Sequence, residues 1–156
     1  MRTIGVDVGG TKVAVATLEG TALGPPTTEP TELSGTAALL DQFVRMIEAA
    51  APADAVGLGL PSAVDAATGA VRTSANIPLQ DVPVRDELER RLGMPVFVAN
   101  DAQVAGLSEA HDDQLRVSAQ SLILFTIGTG VGGAIVLGGE IFLGALGAAA
   151  HLGHQL

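Results

Sequence analysis

The chain has no cysteine, a single lysine, no cluster of basic residues and no long apolar run. Each absence removes a class of protein. Without cysteine, these residues hold neither a disulfide framework nor a thiolate metal site. A net charge of −9, with the arginines dispersed, argues against nucleic acid or an anionic membrane as a partner. No apolar segment approaches the ~18 residues of a membrane span. Met1-Arg2-Thr3-Ile4-Gly5 enters a strand without the apolar core of a signal peptide. The expectation is a soluble cytoplasmic protein. Apolar residues are abundant at 47% against 16% charged, with 20 glycines and no long polar tract, which excludes disorder. At 156 residues the chain is of single-domain size and can bury a core.

The most informative stretch is Gly5-Val6-Asp7-Val8-Gly9-Gly10-Thr11-Lys12, where two β-branched runs, Thr3 to Val8 and Lys12 to Leu18, flank a turn nearly free of side chains. Glycines remove the Cβ atoms that keep a phosphate away from backbone N–H groups, and Thr11 and Lys12 add further donors. Asp7, closing the first run, is placed to hold a hydrated magnesium ion facing the same phosphates. A plain β-hairpin with an Asp and a Lys on its rim reads the same way from these residues alone.

Strands and helices then alternate. Thr21 to Glu29 supplies a third, edge strand interrupted by Pro25-Pro26, which makes an antiparallel meander. Leu40, Phe43, Val44 and Ile47 recur at helical spacing within Thr36 to Ala50, and Pro52 closes that helix. Ala55 to Leu60 reads as a buried strand stopped by Pro61, followed by a loop rich in Asp, Ser, Asn and Pro. Val84, Leu88 and Leu92 mark one helix face ended by Gly93, and Pro95 to Ala99 reads as another buried strand. Asn100 and Asp101 end it, and a helix begins at Ala102. They lie at the carboxyl end of a strand, where α/β sheets place ligands.

His111-Asp112-Asp113-Gln114-Leu115-Arg116 reads as a solvated connector, and the opening pattern restarts beyond it. Ser121 to Ile127 is an apolar strand and Gly128-Thr129-Gly130-Val131-Gly132-Gly133 a second glycine-rich turn. Ala134 to Leu137 returns, and Gly138-Gly139 turns tightly into Glu140 to Leu143. Two such turns facing each other would clasp a nucleotide between lobes.

DVGGTK, VANDAQVAGLSEA, FTIGTGVGGAIV and GALGAAAHLGHQL occur in the order seen in the ROK family of bacterial sugar kinases and related repressors, and the resemblance spans residues 4 to 154. It implies the ribonuclease H-like, actin-like ATPase fold, an α/β architecture with an N-terminal lobe over 1–115 and the start of a second lobe over 116–156. It further implies ATP and Mg²⁺ as cofactors and a hexose or N-acetylhexosamine as substrate. Asp101 matches the catalytic base, a residue that would otherwise read as a helix N-cap. Asn100 and Asn76 match residues at the sugar pocket, although a turn asparagine explains Asn76 nearly as well. Asp7, Gly9, Gly10, Thr11 and Lys12 match the first phosphate turn, and Gly128, Thr129 and Gly130 the second.

Three departures bear on the substrate. Ser62 stands where the family usually has glycine, which would crowd the sugar rim. His151 replaces the glutamate that accepts hydrogen bonds from sugar hydroxyls, a change shared with N-acetylmannosamine kinases, and it shifts weight toward an N-acetylated hexosamine. A surface helix histidine is the plainer account, and His151 with His154, three apart, could also share a metal. His154 resembles a structural zinc ligand whose cysteine partners lie downstream in the family and are not among these residues. The chain thus resembles the first half of a kinase whose full-length form is expected to be a homodimer. Without the remainder, little turnover is expected and the apolar hairpin Leu122 to Leu143 is left uncovered. The competing reading is a non-catalytic sugar-binding or repressor-derived fragment. The early position of the first turn and the acidic charge count against DNA binding.

Overall fold

In the computed structural model, residues 1–127, 131–144 and 149 are described. The first strand, β1 (Arg2–Val8), alternates between buried Ile4, Val6 and Val8 and open Gly5 and Asp7, the period-two signature of a strand with one face on a core. It turns through residues 9–11 into β2 (Lys12–Glu19), antiparallel with Val8 opposite Val13. The expected third strand exists in two pieces. β3 (Ala22–Leu23) and β4 (Thr27–Pro30) both pair antiparallel with β2, because Pro25 and Pro26 lack the N–H that a continuous ladder needs.

Helix α1 (Thr36–Ala50) buries Leu39, Leu40, Phe43, Met46 and Ile47. Strand β5 (Ala55–Leu60) follows, lying parallel to β1 with Asp7 opposite Gly59. The segment after Pro61 is more ordered than its composition predicts, folding into a hairpin of β6 (Ser62–Val64) and β7 (Val71–Ser74). Its turn is stabilised by Asp65, whose carboxylate accepts from the N–H groups of Ala67 and Thr68 and from Arg72. Buried Val64 and Val71 tie the hairpin to the core. These are tertiary anchors, which a short polar segment does not advertise through periodicity.

Helix α2 (Val84–Leu92) buries Val84 and Leu88 and ends at Gly93, whose φ of 67° is the left-handed cap expected of that glycine. Strand β8 (Val96–Asn100) pairs parallel with β5 and runs directly into α3 (Asp101–Glu109). The resulting sheet has the order β3-β2-β1-β5-β8, with β4 also on β2. One face is sealed by α1 and α2 in a continuous aliphatic core with Phe43 fully buried. Each large side chain buried there contributes about 1.5–3 kcal/mol. The opposite face presents Gly5, Gly57 and Phe97 to solvent, with α3 crossing its end at Gly59.

The remaining strands, β9 (Ser121–Ile127), β10 (Val131–Leu137) and β11 (Glu140–Ile141), form a separate antiparallel sheet in the order β11-β10-β9. β10 starts earlier than expected. Gly132 and Gly133 belong to the ladder, opposite Thr126 and Phe125, and are not turn residues. A Cβ at Gly132 would stand 3.1 Å from the Cβ of Ala102, so this glycine admits α3 against the sheet. Among the described residues no helix is long and apolar enough to cross a membrane.

Candidate functional site

The carboxyl ends of β1, β5 and β8 converge, and the chemistry-bearing residues sit there. Asp7 is the penultimate residue of β1, exposed, and registers with Gly59 of β5. Asp101 opens α3 beside the same glycine, where a Cβ would contact the Cα of Asp101 at 3.6 Å. Because position 59 has no side chain, the start of α3 lies close against β5, with Val104 Cγ2 3.8 Å from where a Cβ would stand. Burial pushes the Asp101 carboxyl above its ordinary value, partly opposed by the Ala102 N–H that it accepts at 2.8 Å, and the charge of Asp7 raises it further.

The helix N-cap is Asn100, not Asp101. Its Oδ1 accepts from the Gln103 N–H at 3.2 Å, which satisfies one of the free donors at the helix start. Its Nδ2 donates to the carbonyls of Leu60 and Ser62 at 3.4 and 3.3 Å, joining α3 to the corner between β5 and β6. The capping duty therefore falls one residue before the Asp101 carboxylate, which lies near enough to Asp7 to feel its charge. Asn100 keeps one lone pair on Oδ1 for another donor.

The first glycine turn lies at the end of the same strand. Gly9 N–H donates to the Lys12 carbonyl at 2.8 Å, while Thr11 and Lys12 are exposed. Thr31, just after β4, holds the turn from behind. Its hydroxyl donates to the Gly9 carbonyl at 2.7 Å and its N–H to the Thr11 carbonyl at 3.1 Å. Thr31 carried no motif and was invisible in the sequence. The signal that could have found its surroundings is Gln42, a polar residue within the apolar stripe of α1.

Asn76 comes to the turn from the other side. It is exposed, on a segment anchored by buried Ile77 and Leu79 and by a bond from the Thr36 hydroxyl to the Pro78 carbonyl at 2.6 Å. Ser62 does not crowd an open rim, since it is 4% exposed and its Oγ is enclosed without a hydrogen-bond partner. Gly128, Thr129, Gly130, His151 and His154 lie outside the described residues. Among the described residues no group of three His, Cys, Asp or Glu side chains is arranged to hold a metal ion.

The model of the ROK family matches residues 3–156, nearly the entire chain. The chain belongs to the ROK family. It is 34% identical over 161 residues to a glucokinase of Halalkalibacterium halodurans, covering 97% of this chain and 48% of that one. It is 39% identical over 160 residues to an N-acetyl-D-glucosamine kinase of Vibrio cholerae, covering 97% and 51% respectively. A crystal structure of a ROK family glucokinase from Streptomyces griseus, in complex with glucose and AMPPNP, superposes with a TM-score of 0.88 at 31% identity, covering 99% of this chain and 50% of that one. The fold is thus the ribonuclease H-like, actin-like ATPase fold of ROK sugar kinases. The chain spans about half the length of the curated relatives it matches.

Proposed function

We propose that this chain carries the sugar-activating half of a ROK kinase site that phosphorylates a hexose hydroxyl from ATP. The observation that supports this most directly is the convergence of a desolvated Asp101, its neighbour Asp7 and a glycine turn at one end of one sheet. Asp101 accepts the proton of the attacking hydroxyl, for which a carboxyl shifted toward neutrality is better matched than an ordinary aspartate. The remaining lone pair of Asn100 and the exposed amide of Asn76 orient the sugar.

The turn fits a phosphate. A Cβ at Gly10 would press on Asn76 at 3.2 Å, so that position favours a residue without a side chain. Backbone N–H groups, the Thr11 hydroxyl and Lys12 are the donors that would hold the phosphates there, and Asp7 would hold magnesium through water. When bound, the magnesium nucleotide supplies the transferable phosphoryl group and neutralises part of its charge. Gly128, Thr129 and Gly130 are proposed as the opposing turn, with residues 1–115 as one lobe and 116–156 as the start of the next. His151 is the proposed discriminator between glucose and an N-acetylated hexosamine. His154 would serve a zinc site only with further ligands from a longer chain.

The test is ADP release from magnesium ATP with glucose, N-acetylglucosamine and N-acetylmannosamine, in parent and Asp101→Asn. Sugar-dependent release that Asp101→Asn abolishes, with sugar binding retained, supports the kinase. Sugar binding by the parent with no ADP release supports the non-catalytic sugar-binding reading instead.

A further inference from the structure

We infer that Thr31 is the positioning residue of the glycine turn, setting the orientation of the Gly9–Gly10 and Thr11–Lys12 peptide planes so that their N–H groups face an anion. This rests on the phosphate reading of that turn.

A trans peptide is planar, with its C=O and the following N–H pointing in opposite directions. Fixing a carbonyl therefore fixes the next N–H. Thr31 holds two carbonyls, that of Gly9 through its hydroxyl at 2.7 Å and that of Thr11 through its N–H at 3.1 Å. The Gly10 and Lys12 N–H groups are consequently directed away from Thr31. A tight hairpin would give the Gly9 carbonyl to the N–H of Lys12. Here that carbonyl goes to Thr31, while the reciprocal bond from Gly9 N–H to the Lys12 carbonyl is made.

Thr31 is itself clamped. It is 9% exposed, and the residues on either side of it are bound by one buried amide, Gln42 of α1, which is 6% exposed. Gln42 donates to the Pro30 carbonyl at 2.8 Å and accepts from the Glu32 N–H at 2.9 Å. A glutamine in the buried stripe of an apolar helix carries a desolvation cost that these two bonds offset. What the arrangement secures is the segment carrying Thr31, and through it the turn. Thr31 touches no reacting atom, so its role is orientation of the donors.

The experiment compares parent, Thr31→Val and Thr31→Ser by residual dipolar couplings of the Gly10 and Lys12 N–H vectors, then by titration with magnesium ATP. Valine keeps the shape and loses the hydroxyl, and serine keeps the hydroxyl. Thr31→Ala is a second hydroxyl-free variant should valine fail to fold. The expected result is a reoriented Gly10 N–H in valine, parent-like couplings in serine, and nucleotide affinity at least about tenfold weaker in valine but not in serine, because a misdirected N–H loses its hydrogen bond to a charged phosphate. Parent-like couplings in the valine variant overturn the inference. Couplings that move while the parent itself binds no nucleotide uphold the orienting role of Thr31 and overturn the phosphate reading instead.

Discussion

Gly10 packs directly on Asn76. A Cβ placed on Gly10 would stand 3.2 Å from the Asn76 Cβ and 3.6 Å from its carbonyl oxygen. The glycine turn and the Asn76 segment therefore share a boundary with no slack, and a methyl group at position 10 must displace one of them. Gly10→Ala is expected to destabilise the protein by about 1 kcal/mol, at the low end of overpacking costs. Asn76→Gly, which removes the opposing Cβ, is expected to recover most of that loss. A double-mutant cycle in urea measures the coupling, and additive effects would show that the contact carries no strain.

Asp101→Asn should separate stability from turnover. The folded-state carboxyl is raised, so its contribution to stability is fully present below the ordinary carboxylate range and is lost as pH rises through the folded value. Asparagine removes that loss. The variant should melt higher than the parent near neutrality, with the gap closing in acid, while phosphotransfer falls about 10²–10⁴-fold. Thermal melts across pH check the first part and an ADP-release assay the second.

Gly106 of α3 has no room for a side chain, because a Cβ there would overlap the Cβ of Ala134 in β10. Gly106→Ala would gain helix propensity of about 1 kcal/mol yet is expected to lower stability, since the clash outweighs it. Ala134→Gly in the same molecule should reverse the sign. A denaturation series on the two single variants and the double one decides this.

Glu29 is held at a pKa of about 2, chiefly by its hydrogen bonds from Arg45, with a weaker one from Gln42. The stabilising contribution is present above the ordinary 4.5 and is lost as pH falls through about 2. In Arg45→Ala the Glu29 carboxyl should titrate closer to its ordinary value. Side-chain NMR titration reads this directly, and an unmoved midpoint would remove Arg45 as the cause.

The outer face of the second sheet is apolar and open. Ile123, Phe125 and Ile127 alternate along β9, with Ile127 87% exposed, and Phe97 on the first sheet is 67% exposed. Such surface drives association. Sedimentation of the chain should show concentration-dependent oligomers, and Phe125→Ser with Ile127→Thr should shift them toward monomer.

Much of the framework was legible because local signals agreed with the final fold. The alternation of Ile4, Val6 and Val8, the stripe of α1 and the left-handed cap at Gly93 each reflect interactions within a few residues, and each element formed where its pattern lay. The β6–β7 hairpin escaped because its anchors, Val64 and Val71, are buried only once the tertiary core has assembled around them. Gly132 and Gly133 look like turn residues in the sequence and are ladder residues in the structure. A glycine that bends a chain and one that makes room for a helix look identical in one dimension.

The four motifs, in their order, carry the resemblance that implies the fold class and the family, and the family match over residues 3–156 agrees with it. Those depend on residue type and spacing, which the chain carries openly. Folding alone decided that Asn100 takes the capping bond, that Gly59 lets the start of α3 lie against β5, and that Thr31 holds the turn. These relations join residues far apart in the chain, and their energies come from desolvation, close packing and hydrogen-bond direction. None of these exists until the strands are side by side.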